Sequence, residues 1–270
     1  MLVWRLPLVG RHGSNRAFSV DNAGGVNYDK YMAKKIFLSI MIWAVGAVLT
    51  IMLFFAMALV TIILYPFDRK RKCAHAQCFW WADALTTLNP YWNVRVSGLE
   101  NIDKRKTYVI VANHQSLADI VIMYKTKMQF KWVAKESLFK VPFVGWSMWL
   151  AKHIRLSRGK FSSIKHVYRE SARWLRKDVS VLFFPEGTRS STDRMSDFQN
   201  GAFKLAIKEG VPILPIAIEG TRDAIPKGSW IFETKIPGSL KVLPAIDTSG
   251  FKASEFGRLR DLARAALETA

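Results

Sequence analysis

The chain has 270 residues, half of them apolar, which is enough for one packed domain of ordinary size plus an anchoring segment and excludes a disordered chain as the default. Lys and Arg outnumber Asp and Glu by 40 to 21, for a formal net charge of +19, so the surface field attracts polyanions. Nucleic acid is not the expected partner, because the aromatic residues concentrate in the apolar N-terminal part and not on a basic strand face.

Residues 1–31 mix Arg, Gly, Ser and Asn without a period, and no apolar stretch followed by a small-residue cleavage site occurs in them. They read as a disordered tail and not as a signal peptide. Met32, just ahead of Ala33, Lys34 and Lys35, offers a second start. Residues 36–65 carry no charge, and as a helix they extend about 45 Å against a hydrocarbon core of roughly 30 Å. Such a helix tilts, bends or breaks in a bilayer, with Gly46 as the expected bend point. Basic residues flank it on both sides, Lys34 and Lys35 before and Arg69 to Lys72 after, so a one-leaflet arrangement competes with a single span. The expected polyanion is therefore an anionic bilayer surface, whose attraction adds to the anchor.

Cys73 and Cys78 flank His75, but these residues lack the second ligand pair that zinc sites use. On a helix the two cysteines stand about 140° apart, which disfavours a local disulfide and leaves reduced thiols. Residues 73–88 form an expected interfacial helix whose Trp80 and Trp81 suit the head-group level, stopped by Asn89 and Pro90. Beyond Pro90 short β-branched runs alternate with helical stretches. Strands are expected over 93–96, 108–112, 130–134, 153–156, 180–184, 213–218 and 240–243, and helices over 117–124, 161–176, 201–208 and 253–267. The fold class is α/β, a mixed and mostly parallel sheet flanked by helices behind a membrane-anchoring segment. The domains divide as a tail over 1–31, an anchoring region over 32–90 and an α/β domain over 91–270.

Two loops carry chemistry. In Asn113-His114-Gln115-Ser116-Leu117-Ala118-Asp119, at the end of the second strand, Asp119 could orient one nitrogen of His114 while the other accepts a proton. Ser116 and Asp119 also match a helix N-terminal capping signature, and spacing leaves both readings open. In Phe184-Pro185-Glu186-Gly187-Thr188-Arg189-Ser190 the glycine permits close backbone approach, the hydroxyls donate, and Arg189 suits a two-pronged grip on phosphate; a tight exposed turn is the competing reading. His153 and His166 lack a matched carboxylate, and His166 lies in a helical pattern as a surface residue.

These two loops, followed by Val211-Pro212-Ile213-Leu214-Pro215-Ile216-Ala217-Ile218, stand in an order that closely resembles the 1-acylglycerol-3-phosphate acyltransferase family. The stretch from Lys135 through Pro142 to Gly145 and the run Phe198-Gln199-Asn200-Gly201-Ala202-Phe203 match as well, so the resemblance covers about 67–218. It implies transfer of an acyl chain from coenzyme A or acyl-carrier protein to the sn-2 hydroxyl of lysophosphatidic acid, giving phosphatidic acid. His114 and Asp119 are the implied catalytic pair. Arg189 is the implied phosphate ligand, with Glu186, Gly187 and Thr188 around it, Arg158 and Lys135 as further contacts, and Pro215 lining the acyl region. The thioester is already activated, so neither metal nor cofactor is expected. The family's second motif commonly ends in Asp-Arg, whereas Ser157 precedes Arg158 here, which opens the acceptor's identity. A different lysolipid such as lyso-ornithine lipid is the alternative acceptor, and a non-catalytic basic protein that clusters anionic lipid is the alternative of another class. The expected location is the cell inner membrane, with the catalytic domain facing the cytoplasm.

Overall fold

A computed structural model describes residues 28–89, 92–190, 194–222, 224–225, 228–232 and 236–270. The expected tail lies outside these up to residue 27. Residues 28–31 already belong to α1 (Tyr28–Ile63), so the helix starts ahead of the expected boundary.

After α1 come α2 (Lys72–Leu88), β1 (Trp92–Ser97), β2 (Val109–Ala112), α3 (Ala118–Met123), β3 (Phe130–Lys135), α4 (Val144–Leu150) and β4 (Ile154–Leu156). The chain continues through α5 (Phe161–Leu175), β5 (Ser180–Phe183), α6 (Gly201–Glu209), β6 (Ile213–Glu219), β7 (Ile236–Val242) and α7 (Phe256–Glu268). The seven strands form one sheet in the order β1-β7-β6-β2-β5-β3-β4, parallel throughout except where β6 meets β7. This is the mixed, mostly parallel sheet that the alternation predicts. Two differences have local causes. Pro237 and Gly238 mask the first half of β7, since both are poor strand residues, and α4 is too short for a helical period to register.

The central strands are buried on both faces, and their two-residue period sorts them into two cores. Ile110, Ala112, Leu182 and Ile216 pack with α1, α2 and α3. Val109, Val111, Val181 and Ile213 pack with α5, α6 and α7. The asymmetry places the apolar anchor on one side of the sheet and the amphipathic helices on the other.

Helix α1 runs unbroken through Gly46, contrary to the expected bend. Gly46 is instead the place where α2 comes close, through Leu85. One face of α1 lies along the domain. Ser39 Oγ accepts the Phe232 N–H, the Trp43 indole donates to the Trp230 carbonyl, Trp81 donates to Thr50, and Leu53 and Met57 are buried in the core. From Ser39 to Met57 this contact extends roughly 27 Å at 1.5 Å per residue. The other sides of the helix are apolar and exposed, among them Phe37, Ile40, Val48, Met52, Leu59 and Ile62. By length and composition α1 could cross a membrane.

Asp68 caps α2 by accepting the N–H groups of Lys72, Cys73 and Ala74. The aromatic residues of α2 depart from the expected head-group placement. Phe79, Trp80 and Trp81 are half-buried and pack against the domain core, so this helix is a wall of the domain as much as a membrane element.

Candidate active site

The C-terminal ends of four adjacent parallel strands, β2, β5, β3 and β4, deliver the site, where ligands commonly sit in open α/β sheets. His114 follows β2 after one intervening residue, Asn113. The side-chain amide of Asn113 bonds to both backbone groups of Ile218 on β6, which pins the strand end ahead of it. His114 Nδ1 lies 2.8 Å from Asp119 Oδ2, and that oxygen also accepts the N–H groups of Gln115 at 2.7 Å and Ser116 at 2.9 Å. The two readings left open by the sequence therefore coincide, because the carboxylate that organises the first turn also holds the imidazole. A carboxylate accepts and does not donate, so the Nδ1 of neutral His114 carries the proton and Nε2 presents a lone pair. Phe184 stacks on the ring at 4.0 Å and fixes its plane.

The second loop locks onto the first. Glu186 Oε1 accepts the His114 N–H at 2.8 Å, its Oε2 accepts the Ser196 N–H at 2.9 Å, and the Ser190 N–H donates to the His114 carbonyl at 2.8 Å. Glu186 is nearly buried, and both of its oxygens hold backbone. The resemblance implies a place for Glu186 around the substrate, and Glu186 does line the cavity at the site, while its two carboxylate oxygens hold the loops that carry the base. Gly187 stands at φ 73°, a left-handed conformation that glycine adopts without strain, so its freedom serves the turn.

His114 opens onto a cavity of about 650 Å³. Lys135, Arg158, Gly187 and Thr188 line its polar part, while Val133, Leu138, Met148 and Phe183 give it apolar walls. Thr50 and Leu53 of α1 with Cys78 and Trp81 of α2 complete it, so the anchor helices wall the same space that the dyad faces. Two implied residues are not brought to this cavity. Arg189 is half-buried in the loop beyond Thr188 and is not among the lining residues. Pro215 is buried within β6, and the strand period puts it on the side of Ile213 and Ala217, under α6 and α7, so it does not line this cavity. Ser157, the departure from the family motif, bonds through its hydroxyl to Glu136, which Arg155 also approaches at 3.6 Å.

His153 is not a second base. It is buried, its Nδ1 accepts the Trp132 N–H at 3.1 Å, and burial holds its pKa well below the ordinary value. His166 is half-buried on α5, 3.4 Å from the Arg169 guanidinium. The sequence reading missed a buried cluster beside the cavity. Burial and the neighbouring Lys131 bring His75 down to about 3, and both its ring nitrogens lack a hydrogen-bond partner among the described residues. Lys131, brought by burial to about 7, donates to the carbonyls of Lys70 and Ala151 and lies 4.6 Å from the centre of the Trp174 ring. The available signal was a lysine inside an otherwise aromatic and aliphatic strand. Cys73 is exposed, and Cys78 is buried with its thiol pushed up to about 12, both unpaired.

The parallel strand ends, the His114–Asp119 pair and the cavity make an arrangement suited to acyl transfer onto a hydroxyl. A family model described as acyltransferase matches residues 93–219, from β1 to β6. The chain is similar to 1-acyl-sn-glycerol-3-phosphate acyltransferases. It is 37% identical over 192 residues to a protein of that name from Chlamydomonas reinhardtii, covering 70% of this chain and 57% of the relative. It is 35% identical over 158 residues to one from Pseudomonas aeruginosa, covering 57% and 60%, and 33% identical over 178 residues to the alpha form from Mus musculus, covering 65% and 62%. The chain thus spans about three fifths of the length of these relatives. The crystal structure of PlsC, the 1-acyl-sn-glycerophosphate acyltransferase from Thermotoga maritima, aligns with a TM-score of 0.61 at 29% identity, covering 85% of this chain and 98% of that one.

Proposed function

We propose that the protein transfers an acyl group from a thioester, acyl-CoA or acyl-carrier protein, to the sn-2 hydroxyl of lysophosphatidic acid, giving phosphatidic acid. The observation that carries this reading is an imidazole oriented by a buried carboxylate at the wall of a largely apolar cavity that also holds two cations, Lys135 and Arg158. His114 Nε2 takes the proton of the acceptor hydroxyl as its oxygen attacks the thioester carbonyl. The carbon–sulfur bond then breaks, and the imidazolium returns the proton to the leaving thiolate, so the base is regenerated. Asp119 keeps Nδ1 protonated and stabilises the transient positive charge. The thioester is itself the activated group, and in this reading no metal or cofactor enters.

The acceptor phosphate is assigned to Lys135 and Arg158, with Gly187 and Thr188 beside them, because these residues line the cavity and Arg189 does not. Acyl transfer by the purified protein from a radiolabelled thioester to lysophosphatidic acid tests the reading. Phosphatidic acid formation lost in His114→Ala is the expected result; product formed by that variant at the wild-type rate overturns it.

For location, α1 favours the one-leaflet arrangement over a span. Its contact with the domain is nearly as long as a hydrocarbon core is thick, so a crossing helix would draw the domain into lipid. The exposed apolar sides rest in the surface of the membrane, which we assign to the cytoplasmic side of the cell inner membrane, with anionic lipids as the surrounding partners.

A further inference from the structure

A second concentration of charge lies at the end of the sheet opposite the dyad, where β3 and β5 begin side by side at Phe130 and Ser180. Four segments meet there around Lys131: the connection from α1 to α2, the start of β3, the residues after α4 and the C-terminal end of α5. Lys131 Nζ donates to the carbonyls of Lys70 at 3.1 Å and Ala151 at 2.7 Å, which draws the residues that follow them, Arg71 and Lys152, to one place. The Trp174 ring of α5 gathers further cations, with Lys131, Arg173 and Lys177 at 4.6, 4.8 and 5.9 Å from its centre. Lys135, in the catalytic cavity, lies about 13 Å farther along β3.

The carboxylates that face this cluster are already engaged. Asp178 pairs with Lys70 at 3.1 Å, and Glu170 pairs with Arg173 while Arg169 approaches it at 4.0 Å. Asp68 offsets Lys131 in part, and both of its oxygens accept the first N–H groups of α2, so that helix end is filled. Lys152 is held below its ordinary pKa, by burial first and then by Arg71, Arg173 and Lys177, with no carboxylate opposing them. Arg71 stands out within the group. It is only 5% exposed, its Nε and Nη1 are buried without a hydrogen-bond partner among the described residues, and the exposed Tyr65 ring stands 5.2 Å from it. Buried guanidinium donors left unused are unfavourable, and a bound acceptor removes that cost.

We propose that these residues bind the phosphate of an anionic membrane phospholipid at a site separate from the catalytic cavity, with Arg71 as the inner ligand and Lys152 and Lys177 as the outer ones. A planar guanidinium matches two phosphate oxygens, and ammonium groups beside it complete the neutralisation. The lipid source follows from what adjoins the site. Ile62, Ile63, Tyr65 and Phe67, at the end of α1 and just ahead of Arg71, are all more than 60% exposed. Apolar surface suited to acyl chains therefore gives way within a few residues to cations suited to head groups, a border that a free phosphate does not need. The inference rests on the seating of α1 in one leaflet, and it adds one defined lipid where net charge alone gives diffuse attraction.

The test uses the full-length protein and vesicles of phosphatidylcholine with and without phosphatidylglycerol, with binding read by sedimentation. Lys152→Gln/Lys177→Gln is compared with Lys165→Gln/Lys204→Gln, which removes the same charge from exposed positions elsewhere, and Arg71→Gln is measured beside them. The expected result is that Lys152→Gln/Lys177→Gln and Arg71→Gln each weaken binding to the anionic vesicles by about tenfold or more. The control pair should stay within about threefold, and all variants should bind neutral vesicles within about twofold of wild type. Thermal unfolding gives a second readout. Soluble dihexanoyl phosphatidylglycerol should raise the wild-type midpoint beyond what dihexanoyl phosphatidylcholine does, and that excess should vanish in Lys152→Gln/Lys177→Gln, whose exposed positions keep the test independent of whether Arg71→Gln folds. Equal losses in the two lysine pairs show diffuse attraction and overturn the site, as does an excess retained in Lys152→Gln/Lys177→Gln. Inorganic phosphate that matches the short-chain lipid overturns the lipid source and assigns the site to a free anion. A wild type that ignores neutral vesicles sinks the seating of α1 instead, and the short-chain lipid melt still decides the site.

Discussion

Glu186 accepts the backbone N–H of His114 at 2.8 Å, across 72 residues of sequence, and its other oxygen takes the N–H of Ser196. The base is thus held from two sides, by Asp119 through its ring and by Glu186 through its backbone. Replacing Glu186 with Ala leaves two part-buried N–H groups without their acceptor, each costing up to about 1 kcal/mol. Glu186→Ala should therefore lower the unfolding midpoint and reduce kcat by about 10²-fold, with a smaller change in the KM for lysophosphatidic acid, because the loss is in placement of the base. A change confined to KM would show that Glu186 acts on the substrate.

Removing the base has a different signature. His114→Ala should lower kcat by about 10²-fold or more while fold and vesicle binding persist, since proton transfer is lost and not packing. Asp119→Asn should be severely impaired as well, because a neutral amide, even with its oxygen in the place of Oδ2, does not stabilise the imidazolium, and its NH₂ takes the buried Oδ1 position, which has no hydrogen-bond partner among the described residues. Its unfolding midpoint should also fall, and that separates the buried carboxylate from the half-buried histidine. Circular dichroism melts alongside steady-state kinetics read both effects.

The phosphate grip separates the two acceptors. Lys135→Ala and Arg158→Ala should each raise the KM for lysophosphatidic acid by about tenfold with little change in kcat, because a phosphate remote from the reacting hydroxyl is bound alike in ground and transition states. With lyso-ornithine lipid the same variants should behave as wild type. Arg189→Lys, at a residue outside the cavity lining, should have the smaller effect. If Arg189→Lys alone raises the KM, the grip belongs to Arg189 and its side chain swings to the cavity on binding.

The buried cluster beside the cavity makes stability depend on pH in a defined direction. His75 titrates at about 3 in the folded protein against 6.5 ordinarily, with burial the larger cause and Lys131 the smaller, and burial shifts His153 the same way. Between those values the unfolded chain binds the proton and the folded chain does not, so the histidine contribution to stability is fully present above about pH 6.5 and is lost as pH falls toward 3. Lys131, at about 7 against 10.5, makes stability rise again with pH across that higher window. Urea unfolding over this range should show both slopes, and His75→Phe should flatten the acid one. An acid slope unchanged in His75→Phe would assign it to carboxylates.

Membrane seating is best tested on the exposed side of α1. Removing residues 1–72 would strip Leu53 and Met57 from the core and open the cavity wall at Thr50, so such a truncation would confuse anchoring with folding. Val48→Glu, Met52→Glu and Leu59→Glu together place charge on exposed sides only. They should reduce vesicle binding by about tenfold or more, since charges in lipid are costly, with the unfolding midpoint nearly unchanged. Residual binding through the basic surface should fade as salt rises. Full retention at high salt would remove α1 as the anchor.

What the sequence alone determined is what local periodicity and chain order encode. The two-residue period of Val109 to Ala112, the amphipathic spacing of α5 and α7, the uncharged length of α1 and the His114-to-Asp119 spacing are each set within a few turns of chain, and the structure keeps them. The tertiary structure decided what depends on distant segments meeting. It turned Lys135 and Arg158 toward the cavity and left Arg189 outside it, placed Pro215 inside the sheet, and used Glu186 on backbone. It also laid α1 along the domain and set Trp81 into the cavity wall, where composition alone pointed to lipid. An apolar side chain loses water equally well against lipid or against a protein core, and a loop cation faces whichever space its neighbours leave open. Such choices are made by the packing of strands β2 to β6, which lie up to about a hundred residues apart in the chain and become neighbours only in the folded sheet.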